Sequence, residues 1–498
     1  MATKNEKQKK DDLLNPQRWG IPVEETPKLG STLHHFWTHF QARFKTKTRD
    51  ASKQAQIYLR GLLTMEGKRN YANIARKING PEEDGQKLQH FVSDSPWPTH
   101  PVFEQIQAEV GQQPELQGGM LTLDESGNKK SGDKSAGTAR QYIGRLGKVD
   151  LGQVGVILGY CKTDIWLIVD AELYLPQKWF NQEHALLRRR YHIPEERNFK
   201  TKQEIGLEMI LQAKAKGLLS FQVVGCDTFY GRDASFRAEL DAQKVLYLAE
   251  IPSNTLVYLE PPIVGIPEKQ QRGRKPTRPH VLNGVTPVRV RDLVQSLKWR
   301  EVIIRPTERG TLSYRCAATR VWTVDKEGRV REEWLLVREE KKGEEGEEKE
   351  EYSYSLSNAP PETPLDTLAL WRSMRYFAER TFQDAKSELG WGDLMARKYR
   401  AWMHHTALTA LALWFIGYTK LDWARRYPQD PDLVRQLEVE VLPALSVANV
   451  REMLRATLPL KQLSPEEAVR LVNRHLLRRA RSTRSRLKNQ RGGQRSQS

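Results

Sequence analysis

WRSMRYFAERTFQDAKSELGWG, at residues 371–392, is the stretch whose reading settles the rest of the chain. It holds no proline, its glycines come only at the end, and long side chains fill it, so it reads as a helix. At about 100° per residue, Arg375, Glu379, Phe382 and Lys386 fall within an arc of roughly 60° on one helix face. That face sets a carboxylate between two cations beside an aromatic ring. The plain alternative is an i,i+4 ion pair on a solvated helix. A second acid, Glu388, lies nine residues after Glu379 and points to the opposite face. It stands near the helix end, where a solvated or structural role suits it.

Working outward, 498 residues exceed one compact core, and two to four domains are expected. A net charge of +18 favours a polyanionic partner, nucleic acid before membrane. The opening MATKNEKQKKDD is polar and has no apolar stretch of the secretory kind. The longest apolar run, ALTALALWFIG at 407–417, is too short to span a bilayer and reads as a buried helix. Cys161, Cys226 and Cys316 are far apart and form no C-x-x-C pair, which points to a reducing compartment without structural zinc. The expected location is the cytoplasm.

Before the central stretch the chain divides by composition. Residues 1–30 are polar and interrupted by Pro16, Pro22 and Pro27, and are expected to be a disordered start and linker. Residues 31–116 carry short amphipathic segments such as LHHFWTHFQARF and ASKQAQIYLRGLLTMEG, expected to form a small helical DNA-binding domain. Apolar, β-branched runs then alternate with helical patterns over 117–260. GGMLTLD ends in Asp124. VGVILGYCK and DIWLIVDAELYLP follow as strands, TKQEIGLEMILQAKAKG as a helix closed by Gly217, LSFQVVGCD as a strand ending in Asp227, and LYLAEI as a fifth strand. Propensity gives a mixed α/β class and no more.

Residues 261–360 read as a β-rich insertion, with EVIIRP, LSYRCAATRVWTV and REEWLLV as strands. Within it, QQRGRKPTRP carries Arg272, Arg274 and Lys275, either a hook for a narrow minor groove or a solvated basic loop. EEKKGEEGEEKEE (339–351) reads as a solvated mixed-charge loop. Residues 361–420 return to the α/β core, and 421–498 form a helical C-terminal region. From Arg470 to Arg495 there are nine arginines, one lysine and no acid, a composition that binds phosphates without reading sequence. His34, His35 and His39 lack acidic or cysteine partners nearby and read as packing or solvated residues, while His404 and His405, on an apolar helix, read as packing or hydrogen-bonded residues.

Four fragments together resemble the DDE transposases of bacterial insertion sequences, in the IS-four-like group and its IS-seven-zero-one branch. Arg375, Glu379 and Lys386 keep the spacing of the R-E-K part of a Y-R-E-K signature, although Arg372 stands at the tyrosine position. LDESGNKKSG is similar to the first-Asp motif, IVDAELYLP to an I-D-x-x-L-Y-L-P strand, and VVGCDTFYGRD to a G-D-x-x-Y-G segment. The likeness runs over about residues 40–420. It implies an RNase H-like catalytic core with a β-rich insertion, preceded by the helical DNA-binding domain and followed by the basic tail.

The resemblance also implies Asp124, Asp227 and Glu379 as the catalytic acids holding two Mg²⁺ or Mn²⁺ ions. Carboxylate and water ligands suit such hard cations. Arg375 and Lys386 would contact phosphates near the element end. The implied partners are terminal inverted repeats and target DNA, with a homodimer in the synaptic complex. Two other functions stay open: a transposase-derived DNA-binding protein without nuclease activity, and an RNase H-like junction nuclease. Asp170 is a weaker metal candidate. Glu125 and Asp233 read as solvated or capping residues.

Overall fold

The computed structural model describes residues 12–267, 277–308, 310–340, 352–458 and 463–495. The chain is mixed α/β, organised on one ten-stranded sheet. Its first strands are β1 (Gly119–Lys129), β2 (Ala139–Ile143), β3 (Lys148–Lys162), β4 (Ile165–Leu173), β5 (Phe221–Cys226) and β6 (Tyr247–Ile251). Four more come later: β7 (Arg300–Thr307), β8 (Gly310–Val324), β9 (Val330–Glu339) and β10 (Tyr352–Ser357). In space the order is β7-β8-β9-β10-β6-β5-β1-β3-β2, with β4 also paired to β3. Only the β1–β5 and β5–β6 pairings within this sheet are parallel.

The stretch 261–360, expected as a β-rich insertion, supplies four strands that continue the core sheet, because β10 pairs antiparallel with the open edge of β6. An unpaired edge invites this, since its N–H and C=O groups otherwise lack partners. A buried ion pair fastens the extension. Arg237 meets Glu333 of β9 at 3.0 Å, and the hydroxyls of Tyr247 and Thr323 also donate to Glu333. Arg272, Arg274 and Lys275 lie outside the described residues, as does most of the acidic tract after Glu340.

The helices that matter here are α1 (Leu29–Phe40), α2 (Ser52–Thr64), α3 (Tyr71–Asn79), α4 (Gln86–Ser93), α5 (His100–Gly111) and α6 (Lys202–Lys216). They are followed by α7 (Ala234–Ala242), α8 (Leu365–Met374), α9 (Tyr376–Ser387), α10 (Tyr399–Arg426), α11 (Val447–Thr457) and α12 (Pro465–Arg495). Helix α6 starts at a capping box made by Thr201 and Glu204 and stops at Gly217, whose φ of 60° suits a residue without Cβ.

Helices α1–α5 do not form a separate body. They share one hydrophobic core with the sheet, α10 and α11, from Leu29 to Leu454. The cause is α10, which buries Ala401–Gly417 without a break. A helix apolar on every side needs cover on every side. The sheet covers one flank at β4, and α2, α4, α5 and α11 cover the others.

The expected disordered start is also corrected in part. Residues 16–19 and 26–28 form 3₁₀ turns with proline in their first positions. Arg18 bonds Asp430 at 2.7 Å, which ties this segment to the chain beyond α10. None of the described helices is long and apolar enough to cross a membrane.

A candidate carboxylate active site

The parallel registers level three acids. Leu123 of β1 pairs with Cys226 of β5, and Cys226 pairs with Ala249 of β6. The next residue on each is an acid: Asp124, Asp227 and Glu250. They stand in a row at the carboxyl ends of β5 and β6, where open α/β sheets commonly hold their ligands, and half-way along the longer β1, where its pairing with β5 stops. Asp227 caps the short helix after β5 and accepts the Phe229 amide at 3.1 Å and that of Tyr230 at 3.4 Å. Gly231 keeps this turn tight on β6, since a Cβ there would run into the Glu250 carbonyl oxygen.

The stretch 371–392 is two helices with a joint. Helix α8 ends at Met374, α9 begins at Tyr376, and Arg375 lies between them. The Arg375 guanidinium turns inward, with its stem near Gly225. Its Nε donates to Glu250, and one terminal nitrogen lies 3.3 Å from Asp124 Oδ2. The other is 3.9 Å from Glu379. Arg372, at the departing signature position, also pairs with Glu250, at 2.9 Å. Both arginine side chains are largely buried on carboxylates, so Arg375 does not present a free guanidinium to phosphate in this arrangement.

Glu379 occupies the first turn of α9 with its side chain 65% exposed. Its helix is clamped from the other side. Phe377 stacks on Trp166 of β4 at 5.2 Å, and the Trp166 indole donates to Asp384 at 2.8 Å. Lys386 lies over the rings of Phe382 and Trp391, at 5.9 and 5.8 Å. Arg375 and Lys386 thus do not share the single exposed face that a continuous helix gives them.

The electrostatics follow from crowding. Burial pushes the Asp124 carboxyl up to about 6; Arg375 opposes the shift, and Asp227 adds to it. Asp227 is raised as well, by burial first, again against Arg375. Burial lowers Arg372 to about 10, with Glu250 opposing. Arg375 is held charged by Glu250 and Asp124 despite its burial. Among the described residues, no three His, Cys, Asp or Glu side chains converge tightly enough to hold a metal ion as they stand. The donor chemistry nonetheless fits a hard divalent cation, because every candidate ligand is a carboxylate oxygen.

Sequence comparison decides the family. Residues 39–311, more than half of the chain, match the DDE superfamily endonuclease family. The chain belongs to the DDE endonuclease superfamily. Enzymes of this superfamily generally use divalent metal ions. The chain is also 30% identical over 186 residues to a Microchaete diplosiphon protein named "Probable transposase for insertion sequence element IS701". That alignment covers 36% of this chain and 44% of the relative.

The other acids of this DDE chain have local partners. Glu125 pairs with Lys202, and Asp233 caps α7 through the amides of Ser235 and Phe236. Asp170 is buried on β4 and accepts the Ala171 amide at 2.8 Å. Glu388 is bound at 2.6 Å by Arg451, whose guanidinium also donates to the carbonyls of Leu63 and Met65. His404 and His405 are buried in hydrogen bonds to backbone carbonyls. Glu250 escaped the sequence reading. An acid inside the apolar run LYLAEI was the available signal, and only the parallel register gives it meaning.

Proposed function

We propose that this protein is a DNA transposase that binds the ends of its element, cleaves there, and joins the 3′-OH to target DNA. The observation that carries the reading is the levelled pair Asp124 and Asp227 on neighbouring strands, with Glu379 presented beside them through Arg375. With the short β2 set aside, the order β1, β3, β4, α6, β5, α7, β6 over 119–251 is the one expected of an RNase H-like core. The named relative adds support on the transposition side.

Two Mg²⁺ or Mn²⁺ ions between Asp124, Asp227 and Glu379 would supply activation of the attacking oxygen and stabilisation of the leaving one. The chain's own part is to hold and orient. Asp227 is fixed by two backbone amides, and Asp124 by its strand and by Arg375. Glu379 is free to turn on an exposed helix face, so it is the acid that closes the site. Lys386 and the basic run from Arg470 onward would bind phosphates. Two ends must be brought together, and a homodimer serves that need.

The test is incubation of the full chain and Mg²⁺ with a duplex carrying the element's terminal inverted repeat and flank. Nicks at the repeat boundary and joined products in a target plasmid are expected. A folded protein that binds the repeat yet gives neither would favour the alternative of a transposase-derived DNA-binding protein. Cleavage of branched junctions without joining would favour the junction nuclease.

A further inference from the structure

The carboxylate row already has a cation in it. Arg375 reaches Asp124 with one terminal nitrogen at 3.3 Å while its Nε stays on Glu250. Glu250 is held in turn by Arg372 at 2.9 Å. All three side chains are at most 15% exposed, so water screens the contacts little. The two acids on Arg375 differ in kind. Asp124 belongs to the proposed metal-binding set. Glu250 stands one strand beyond Asp227 and binds two arginines. A guanidinium offers donors on several edges in a fixed fork, so it can leave one carboxylate while keeping another.

Resting on the reading above, we infer that Arg375 is a built-in counterion for Asp124, which a divalent cation must displace. Glu250 is a positioning residue that retains the displaced guanidinium. Without a metal, the ion pair keeps Asp124 and Asp227 from repelling each other. When a metal takes Asp124, Arg375 pivots about its bond to Glu250 and turns its outer edge toward Glu379 and solvent. A phosphate arriving there favours the same swing, so metal and DNA each strengthen the binding of the other. Arg372 holds Glu250 in place through its ion pair, which gives a role to the residue that departs from the signature.

Mn²⁺ binding to the full chain without DNA, followed by electron paramagnetic resonance and calorimetry, tests this without reference to activity. Asp124→Asn defines the component that belongs to the site. Arg375→Gln should raise Mn²⁺ affinity at least tenfold. Glu250→Gln should lower it, because Arg375 then has only Asp124 to hold. In the Arg375→Gln background, Glu250→Gln should change affinity less than twofold, since Glu250 acts through Arg375.

Equal or weaker affinity in folded Arg375→Gln, with the Asp124 dependence intact, overturns the inference and leaves the metal reading standing. A Glu250→Gln loss of the same size in both backgrounds makes Glu250 a direct ligand and also overturns it. Binding that ignores Asp124 sinks the metal reading itself. If Arg375→Gln does not fold, Arg375→Lys carries the test. It keeps the charge but cannot span both acids, so at least threefold tighter binding is expected and unchanged affinity refutes the idea.

Discussion

The two glutamates of 371–392 give a sharp contrast between chemistry and architecture. Glu388→Gln removes the charge that faces Arg451, whose side chain is only 9% exposed. Breaking a well-buried ion pair from one side costs about 3–5 kcal/mol. Glu388 is 26% exposed, and glutamine can still accept one hydrogen bond, so about 1–3 kcal/mol is expected here. Glu379 is 65% exposed and lies 3.9 Å from its nearest cation, so Glu379→Gln should change stability by under about 0.5 kcal/mol. Thermal melts should therefore show a fall of a few degrees for Glu388→Gln and almost none for Glu379→Gln. Mg²⁺-dependent nicking at 25 °C should rank them the other way, with Glu379→Gln inactive and Glu388→Gln active. Full activity in Glu379→Gln with none in an equally stable Glu388→Gln would refute the placement of the site on α9.

Three more outcomes are expected. Asp124→Asn and Asp227→Asn should each abolish Mg²⁺-dependent cleavage while leaving DNA binding near normal; asparagine can cap as aspartate does, so the turn after β5 should survive. Cleavage by either purified variant would remove that acid from the site. Burial pushes Asp170 up to about 6, so the folded chain holds this proton to a higher pH than the unfolded chain does. Stability from this group is then full below about pH 4 and is lost as pH rises toward 6. Asp170→Asn should raise the urea midpoint at pH 8 by the equivalent of about 1–3 kcal/mol, with little gain at pH 4 and no loss of cleavage; a lower midpoint at pH 8 would contradict this. Truncation after Glu467 should weaken binding to any duplex and flatten the dependence of log K on log salt, while an unchanged slope would exclude α12 from DNA contact.

Much of the sheet was legible because strands buried on both faces are written as continuous apolar runs. GGMLTLD, VGVILGYCK and LSFQVVGCD each show this, with two of the acids at their ends. Register was not legible, since it depends on which strand lies beside which, and so Glu250 stayed hidden. The joint at Arg375 was missed for another reason. Nothing in SMRYF breaks a helix by propensity; burying the guanidinium against Asp124 and Glu250 is what turns it inward. The shared core was half visible. ALTALALWFIG announces a buried helix, but not that the segments before residue 116 would be among its cover.

That cover has an evolutionary meaning. Because α1–α5 wrap a helix that arrives almost three hundred residues later, no cut between them and the sheet leaves two soluble pieces. A fragment starting at β1 would expose the apolar flanks of α10 and aggregate. Exchanging the segment before the sheet would therefore also strip the cover from α10, a constraint that proteins strung from independent units do not carry.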